Sequence, residues 1–168
     1  MKNLDFLNKL KSEGKLEIVE PSEYIVNSYL IKSNKCTIAA KAVFDVGVYE
    51  NAVSEAYYPM YNAVLALFFK CGIKCENHSA AAIIMRDFFK LEKLNQTFSK
   101  IKKERIDNQY YLTPENTEPL SKEKCKESLD TAQKFNAEIL YFLKKINIKE
   151  ITIIRKELEK KGTVGGVR

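Results

Sequence analysis

Glycine and proline are scarce in this chain, which has six glycines and four prolines among 168 residues. Lysine, glutamate, leucine and alanine, which favour helices, are plentiful. The alternation of apolar and polar residues that marks a half-buried strand is nearly absent. With 45% hydrophobic and 30% charged residues, the composition is that of a globular protein and excludes a disordered chain. These absences predict an all-α fold.

Long hydrophobic runs and secretory features are also missing. The longest apolar run, Val64 to Phe69, is far too short to cross a bilayer. The N-terminal sequence MKNLDFLNKLKSEG contains acidic residues and no apolar centre, so it does not resemble a signal peptide. We therefore expect a cytoplasmic protein with reduced cysteines and no membrane association.

Histidine occurs only once, and this scarcity bears on metal binding. Cys71, Cys75 and His78 have the spacing C-x3-C-x2-H, which suggests zinc, but a structural zinc site needs four ligands. The other cysteines, Cys36 and Cys125, are distant and unpaired, and Cys71 fits the apolar face of its own helix. No glycine-rich phosphate-binding loop is present either. We predict a protein without metal or another cofactor.

The residues that are present divide the chain into helices. Gly14, Gly47 and Gly72 each follow a helical pattern and are expected to end a helix, whereas Ser22 and Ser121 can cap the start of one. We expect a short N-terminal helix in residues 1–15, a helical bundle in 16–147, and an amphipathic helix with a flexible tail in 148–168. Within the bundle, helices are predicted at about 23–46, 48–71, 77–89, 91–110 and 122–146, with a loop after 110.

The helix predicted at 48–71 should be central and buried, because its C-terminal half is apolar nearly all round. Small residues recur along one side, where a neighbouring helix can approach closely. Pro59 lacks a backbone donor and should kink or loosen this helix. The small residues are Ala52, Ala56, Ala63 and Ala66.

Three tyrosines crowd one turn of the same helix. Tyr57 and Tyr61 lie four residues apart on one face, which favours packing with the hydroxyls at the wet edge. Tyr58 lies on another side, towards Asn62. The alternative is that Tyr58 or Asn62 points into the same cleft as Arg105.

Arg105 continues a helix face that is otherwise formed by Leu94, Phe98 and Ile101. An arginine at such a place is either an edge residue whose head reaches water or a charge held in a cleft. The formal net charge of +6 is compatible with RNA or another anionic partner, although lysine-rich chains often have such a charge for no specific reason. The pattern leaves open whether this is a binding cleft or an ordinary polar helix end.

Four stretches, in order, resemble motifs of the HEPN superfamily. VYENAVSEAYYPMYNAVLALFFKCGI is similar to the family's A-Y-Y-A-M-F-H-A pattern, and ENHSAAAI resembles the step that opens the family's next helix. RIDNQYY resembles the family's R-x-x-A-D-Y, and ESLDTAQKFNAEILYFL resembles its closing helix. The resemblance covers roughly residues 22–146.

The resemblance implies an antiparallel bundle of four to five helices, here with extra short terminal helices, that usually forms a homodimer. Family members are linked to nucleotide and RNA chemistry. Many pair with a small nucleotidyltransferase as toxin and antitoxin, and many of the toxins are metal-independent ribonucleases with an Arg-x4-6-His motif. In that motif the arginine can stabilise phosphate charge and the histidine can transfer a proton.

The chain departs from the ribonuclease motif because no histidine lies four to six residues after Arg105. Tyr110 and Tyr111 lie in that window, and Arg105 with Tyr110 resembles an R-x4-Y variant. A tyrosine with a pKa near 10 is a poor general base at neutral pH. Asn62 occupies a position that often holds a histidine in the family. Whether the chain is an enzyme therefore stays open, with Arg105 and Tyr110 as the candidate catalytic residues.

We predict a homodimer that binds a nucleotide, RNA or a partner protein, without evident DNA specificity, in a toxin–antitoxin-like or nucleotidyltransferase-associated system. One alternative is a metal-independent ribonuclease toxin that recruits His78 from another helix. Another is a non-catalytic subunit held by a nucleotidyltransferase. The candidate ligand-binding residues are Arg105, Asp107, Asn108, Tyr110, Tyr111, Tyr58, Asn62 and His78.

Overall fold

The computed structural model describes residues 2–110 and 120–160. Within these residues the chain forms seven helices and one two-stranded antiparallel sheet, which confirms the all-α class. The elements are α1 (Lys2–Ser12), β1 (Leu16–Ile18), α2 (Glu23–Asp45), α3 (Tyr49–Lys70), β2 (Ile73–Cys75), α4 (His78–Asp87), α5 (Glu92–Tyr110), α6 (Lys122–Lys145) and α7 (Ile148–Lys160).

Two helices, α2 and α6, begin at the capping residues that the sequence indicated. The Ser22 side chain accepts a hydrogen bond from the Ile25 amide, and Ser121 caps α6 in the same way. Asn77 caps α4, its Oδ1 accepting from the amides of Ser79 and Ala80 at 2.9 Å each. These caps determine where α4 begins and therefore place the next residue, His78.

The small sheet was not predicted from the sequence. β1 and β2 pair in the register Leu16 with Cys75, Glu17 with Lys74 and Ile18 with Ile73. Each strand has three residues, which is too short for a period of two to be recognised. The sheet joins the N-terminal segment to the turn between α3 and α4.

Helix α3 lies at the centre of the fold and packs against α2, α5 and α6. Its small-residue side is buried as expected. The helix runs on through Pro59, whose carbonyl accepts a 2.8 Å hydrogen bond from the Ser33 hydroxyl of α2. The central side chains of α3 that are almost completely buried include Tyr57, Met60, Val64, Leu67 and Phe68.

The two terminal helices belong to the same core as α3. Leu7 and Leu10 of α1 are buried in it, together with the apolar side of α7. Arg155 of α7 donates from Nη1 to the carbonyl oxygens of Val19 at 2.8 Å and Cys71 at 3.2 Å. The division of the chain into three parts stays a prediction, but the terminal helices pack directly on the bundle.

Within residues 2–110 and 120–160, no helix combines the length and the apolar character needed to cross a membrane. The predicted loop after Tyr110 and the predicted tail fall mostly on residues 111–119 and 161–168, outside the described residues.

Candidate functional site

A basic–aromatic cluster forms where α3, α4 and α5 meet. We use this name for Tyr57, Tyr58, Tyr61, His78, Lys102 and Arg105. Helix α3 supplies the three tyrosines, the first turn of α4 supplies the histidine, and α5 supplies the two basic residues. Positions three and four apart lie on the same side of a helix, which is why Lys102 joins Arg105 and Tyr61 joins Tyr57.

Arg105 contacts two tyrosine rings. Its Cζ atom lies 5.4 Å from the ring centroid of Tyr57 and 5.3 Å from that of Tyr58. These distances are within the range of cation–π attraction. The Nε atom is buried and has no hydrogen-bond acceptor, and no carboxylate of the described residues pairs with the guanidinium. The side chain as a whole is half-buried, so part of it meets solvent.

His78 is held by two tyrosines. Its Nδ1 lies 2.7 Å from the hydroxyl oxygen of Tyr57, and its ring centroid lies 4.0 Å from that of Tyr61. Burial, followed by the nearby positive charges of Arg105 and Lys102, lowers the pKa of His78 below its ordinary value. The imidazole is therefore neutral at pH 7.

Lys102 adds a second positive group to the cluster. Its Nζ donates a 2.9 Å hydrogen bond to the hydroxyl of Ser79, in the first turn of α4. Burial and the charge of Arg105 lower the pKa of Lys102. The neighbouring acid on α5, Glu104, is engaged elsewhere, since it accepts from Ser128 at 3.1 Å. The cluster thus concentrates positive charge without a carboxylate of its own among the described residues.

The structure brings some of the predicted site residues together and separates others. Tyr58 and His78 lie in the cluster with Arg105. Asp107 and Asn108 instead line a depression between α5 and α6, beside Leu120. The structure places these two away from the contacts of Arg105.

Asn62 does not join the cluster. Its side chain is 3% exposed, and its Nδ2 donates to the carbonyl oxygen of Tyr58 at 2.8 Å. The same nitrogen lies 3.7 Å from Cys36 Sγ of α2. Asn62 therefore faces α2. The Tyr110 side chain and Tyr111 lie outside the described residues.

Sequence reasoning missed Lys102 and assigned Tyr57 and Tyr61 to packing. Lys102 lies three residues before Arg105, and this spacing was a usable signal. Tyr57 is completely buried, as a packing residue should be, yet its ring and hydroxyl also contact Arg105 and His78. A tyrosine of this helix can therefore pack in the core and contact the residues of the cluster at the same time.

The Cys71, Cys75 and His78 spacing does not form a cluster of ligands. Burial raises the pKa of Cys75 to about 11, and the Cys75 thiol donates to the Asn77 carbonyl at 3.5 Å. Burial also raises the pKa of Cys71, so both thiols stay protonated and are poor ligands at neutral pH. Among the described residues, no group of three or more His, Cys, Asp or Glu side chains is placed to hold a metal ion.

The sequence was compared with models of known protein families. A family model described as the HEPN domain matches residues 26–146, more than half of the 168 residues. The matched region contains all six residues of the basic–aromatic cluster. A comparison with curated proteins found no match. The chain, with its central helix α3 and the basic–aromatic cluster between α3, α4 and α5, belongs to the HEPN domain family.

Proposed function

We propose that this protein binds RNA through a phosphate group held by the basic–aromatic cluster. The proposal depends mainly on the surroundings of Arg105. Its guanidinium lies against two tyrosine rings and has no carboxylate partner among the described residues. A half-buried guanidinium without an anionic partner is costly unless water or an anion completes its hydrogen bonds. A phosphate suits this place because it accepts paired hydrogen bonds from an arginine.

Other features of the cluster support a nucleic-acid phosphate. Lys102 bonds to Ser79, the neighbour of His78, and His78 and Arg105 both contact Tyr57, so an anion beside them would meet three donor side chains. The half-buried rings of Tyr58 and Tyr61 offer aromatic surface of the kind on which unpaired bases stack. A HEPN domain is consistent with a role in nucleotide or RNA chemistry, and the net charge of +6 favours association with a polyanion.

Fluorescence anisotropy with a labelled single-stranded oligoribonucleotide tests the proposal. We expect Arg105→Ala to weaken RNA binding about tenfold or more, since a charge-assisted hydrogen bond contributes roughly 1.5–3 kcal/mol. Lys103→Ala, which removes an exposed lysine from the same helix, is the matched control and should change the affinity much less. Equal losses for both variants would indicate general charge attraction and contradict a specific site.

The ribonuclease alternative has one structural observation in its favour. His78 of α4 and Arg105 of α5 both contact Tyr57, and the charge of Arg105 contributes to lowering the pKa of His78. A histidine and an arginine at one phosphate could cleave RNA next to a ribose 2′-hydroxyl. Incubating labelled RNA with the protein in EDTA tests this, and a product ending in a 2′,3′-cyclic phosphate would establish the activity. Bound but intact RNA would leave binding as the function.

HEPN domains commonly dimerise, and an apolar stripe on α2 supports a homodimer here. Tyr24, Ile31 and Ile38 are 82%, 58% and 61% exposed and lie seven residues apart, so they share the outer side of the helix. Two copies of α2, antiparallel about a two-fold axis at Ile31, would pack Ile31 on its copy and Tyr24 on Ile38 of the other chain. The equal spacing on both sides of Ile31 makes this stripe self-complementary.

A further inference from the structure

The hydroxyl of Tyr57 has a single hydrogen-bond partner in the described part of the chain. Tyr57 is completely buried between Phe98, Tyr61 and Arg105, and its only partner is Nδ1 of His78, at 2.7 Å. Two arrangements of protons could form this bond. Either the phenol donates to Nδ1, or a protonated Nδ1 donates to the phenol oxygen.

Burial distinguishes the two arrangements. If Nδ1 donated, the O–H of Tyr57 would need another acceptor, and the described residues offer none. A buried donor left without an acceptor is costly. Tyr57 cannot avoid the unpaired donor by losing its proton, because burial raises the pKa of Tyr57 far above neutral pH. If the phenol donates, both partners are satisfied and the proton of the neutral imidazole lies on Nε2.

We infer that Tyr57 is a positioning residue that holds neutral His78 in the Nε2–H tautomer, so that His78 offers a phosphate oxygen an uncharged hydrogen-bond donor. The statement about the tautomer rests on the Tyr57 contact alone, and the statement about phosphate rests on the proposed function. Nε2 has no hydrogen-bond partner among the described residues. It is also not one of the unpaired polar atoms that are shut off from solvent, so a ligand can reach its proton.

The arrangement allows His78 to donate a hydrogen bond to a phosphate but prevents it from acting as a general base. While Tyr57 donates to Nδ1, neither ring nitrogen is free to take a proton from a ribose hydroxyl, so the ribonuclease alternative would require this hydrogen bond to break. The groups that face His78 are Tyr57 and Tyr61 from α3, and Arg105 and Lys102 from α5; the two basic residues disfavour a charged imidazole. The bound state is therefore expected to use the neutral donor, with the charge supplied by Arg105 and Lys102.

Nitrogen-15 NMR can test the tautomer without assignment work, because His78 is the only histidine of the chain. In long-range proton–nitrogen spectra of the full chain at pH 7.5, we expect Nε2 to have the shift of a protonated ring nitrogen and Nδ1 that of an acceptor. A protonated Nδ1 in the wild type would overturn the inference. This measurement needs no variant, so it holds even if a substitution at Tyr57 prevents folding.

A pair of variants separates positioning from packing. Tyr57→Phe keeps the ring and removes the donor to Nδ1, so we expect the His78 pKa to rise and the Nδ1 shift to change. Tyr61→Phe is the matched control, since the Tyr61 ring packs against the same imidazole but its hydroxyl makes no hydrogen bond to it. An unchanged His78 pKa in Tyr57→Phe, or the same rise in both variants, would contradict a positioning role.

Adding the single-stranded oligoribonucleotide distinguishes failure of the inference from failure of the proposed function. We expect the Nε2–H resonance to shift on binding while the tautomer is kept. If RNA leaves the histidine signals unchanged, the phosphate role of His78 is wrong and the tautomer assignment stands. If RNA shifts the signals but Nδ1 carries the proton, RNA binding stands and the assignment to Tyr57 is wrong.

Discussion

At the scale of single residues, Arg105 contacts aromatic rings and has no ion-pair partner within residues 2–110 and 120–160. Two tyrosine faces contribute roughly 0.5–2 kcal/mol each, depending on how far the cation is desolvated. Removing the arginine leaves no buried carboxylate unpaired among the described residues, and unpaired carboxylates cause the largest losses when ion pairs are broken. Loss of RNA binding in Arg105→Ala can therefore be read as loss of a contact, with little confusion from unfolding.

Asn62 provides a second test, because we expect its substitution to affect stability rather than RNA binding. Its side chain is buried and bonds to the Tyr58 carbonyl, so Asn62→Ala should lower the free energy of unfolding by about 1–3 kcal/mol. RNA affinity should stay within about twofold of the wild type, since Asn62 faces α2. Urea unfolding and anisotropy measure the two effects. Reduced affinity at unchanged stability would instead place Asn62 in the binding site, as the sequence suggested.

The sequence identified part of the cluster because single residues were out of pattern. Arg105 was found since a charge on an apolar face is unusual, and His78 since it is the only histidine. The Tyr57–His78 contact could not be found, because it joins residues 21 positions apart on two helices. Such a contact depends on how α3 and α4 pack, and no local spacing encodes it.

At the scale of elements, the ends of helices were predictable and the sheet was not. Ser22 and Ser121 were correct starts, because a capping side chain satisfies backbone amides next to it in sequence. β1 and β2 depend on pairing with each other across more than fifty residues, and neither has enough length to show a pattern. Sequence patterns predict structure that depends on neighbouring residues, whereas these two strands form only by pairing with each other.

The outer stripe of α2 yields a prediction about assembly. Ile31→Glu would place two carboxylates against each other at the proposed two-fold axis, so we expect it to convert a dimer to a monomer. Multi-angle light scattering at micromolar concentration measures the mass directly. Leu140→Glu, at a partly exposed apolar position of α6, is the matched control and should remain dimeric. A monomeric wild type, or a dimeric Ile31→Glu, would show that this stripe is not the interface.

At the scale of the whole molecule, the family match is smaller than the packed core. The match spans residues 26–146, whereas Leu7, Leu10 and Leu16 on one side of it and Ile151, Ile154 and Leu158 on the other are buried in the same cluster. Burying one such side chain contributes roughly 1.5–3 kcal/mol. Six of them together are comparable with the entire stability of a typical domain.

A fragment limited to residues 26–146 should therefore fail to fold cooperatively. Thermal melts followed by circular dichroism would compare it with the full chain and with residues 2–160, which retain every buried residue named above. We expect the 2–160 chain to melt close to the full chain and the fragment to show no cooperative transition. A fragment that melts within a few degrees of the full chain would show that the residues outside 26–146 contribute little to stability and would contradict this prediction.

The contact of Arg155 with the end of α3 has a consequence for the history of the sequence. Gly72 has a φ of +67°, and a Cβ atom there would overlap Arg155 Nη1 and the Val19 carbonyl oxygen. A side chain at position 72 is therefore excluded by the backbone as well as by Arg155, so replacing Arg155 alone would not make room for it. Among relatives, position 155 is therefore expected to vary more freely than position 72, where even asparagine, which tolerates positive φ, would meet the Val19 carbonyl oxygen.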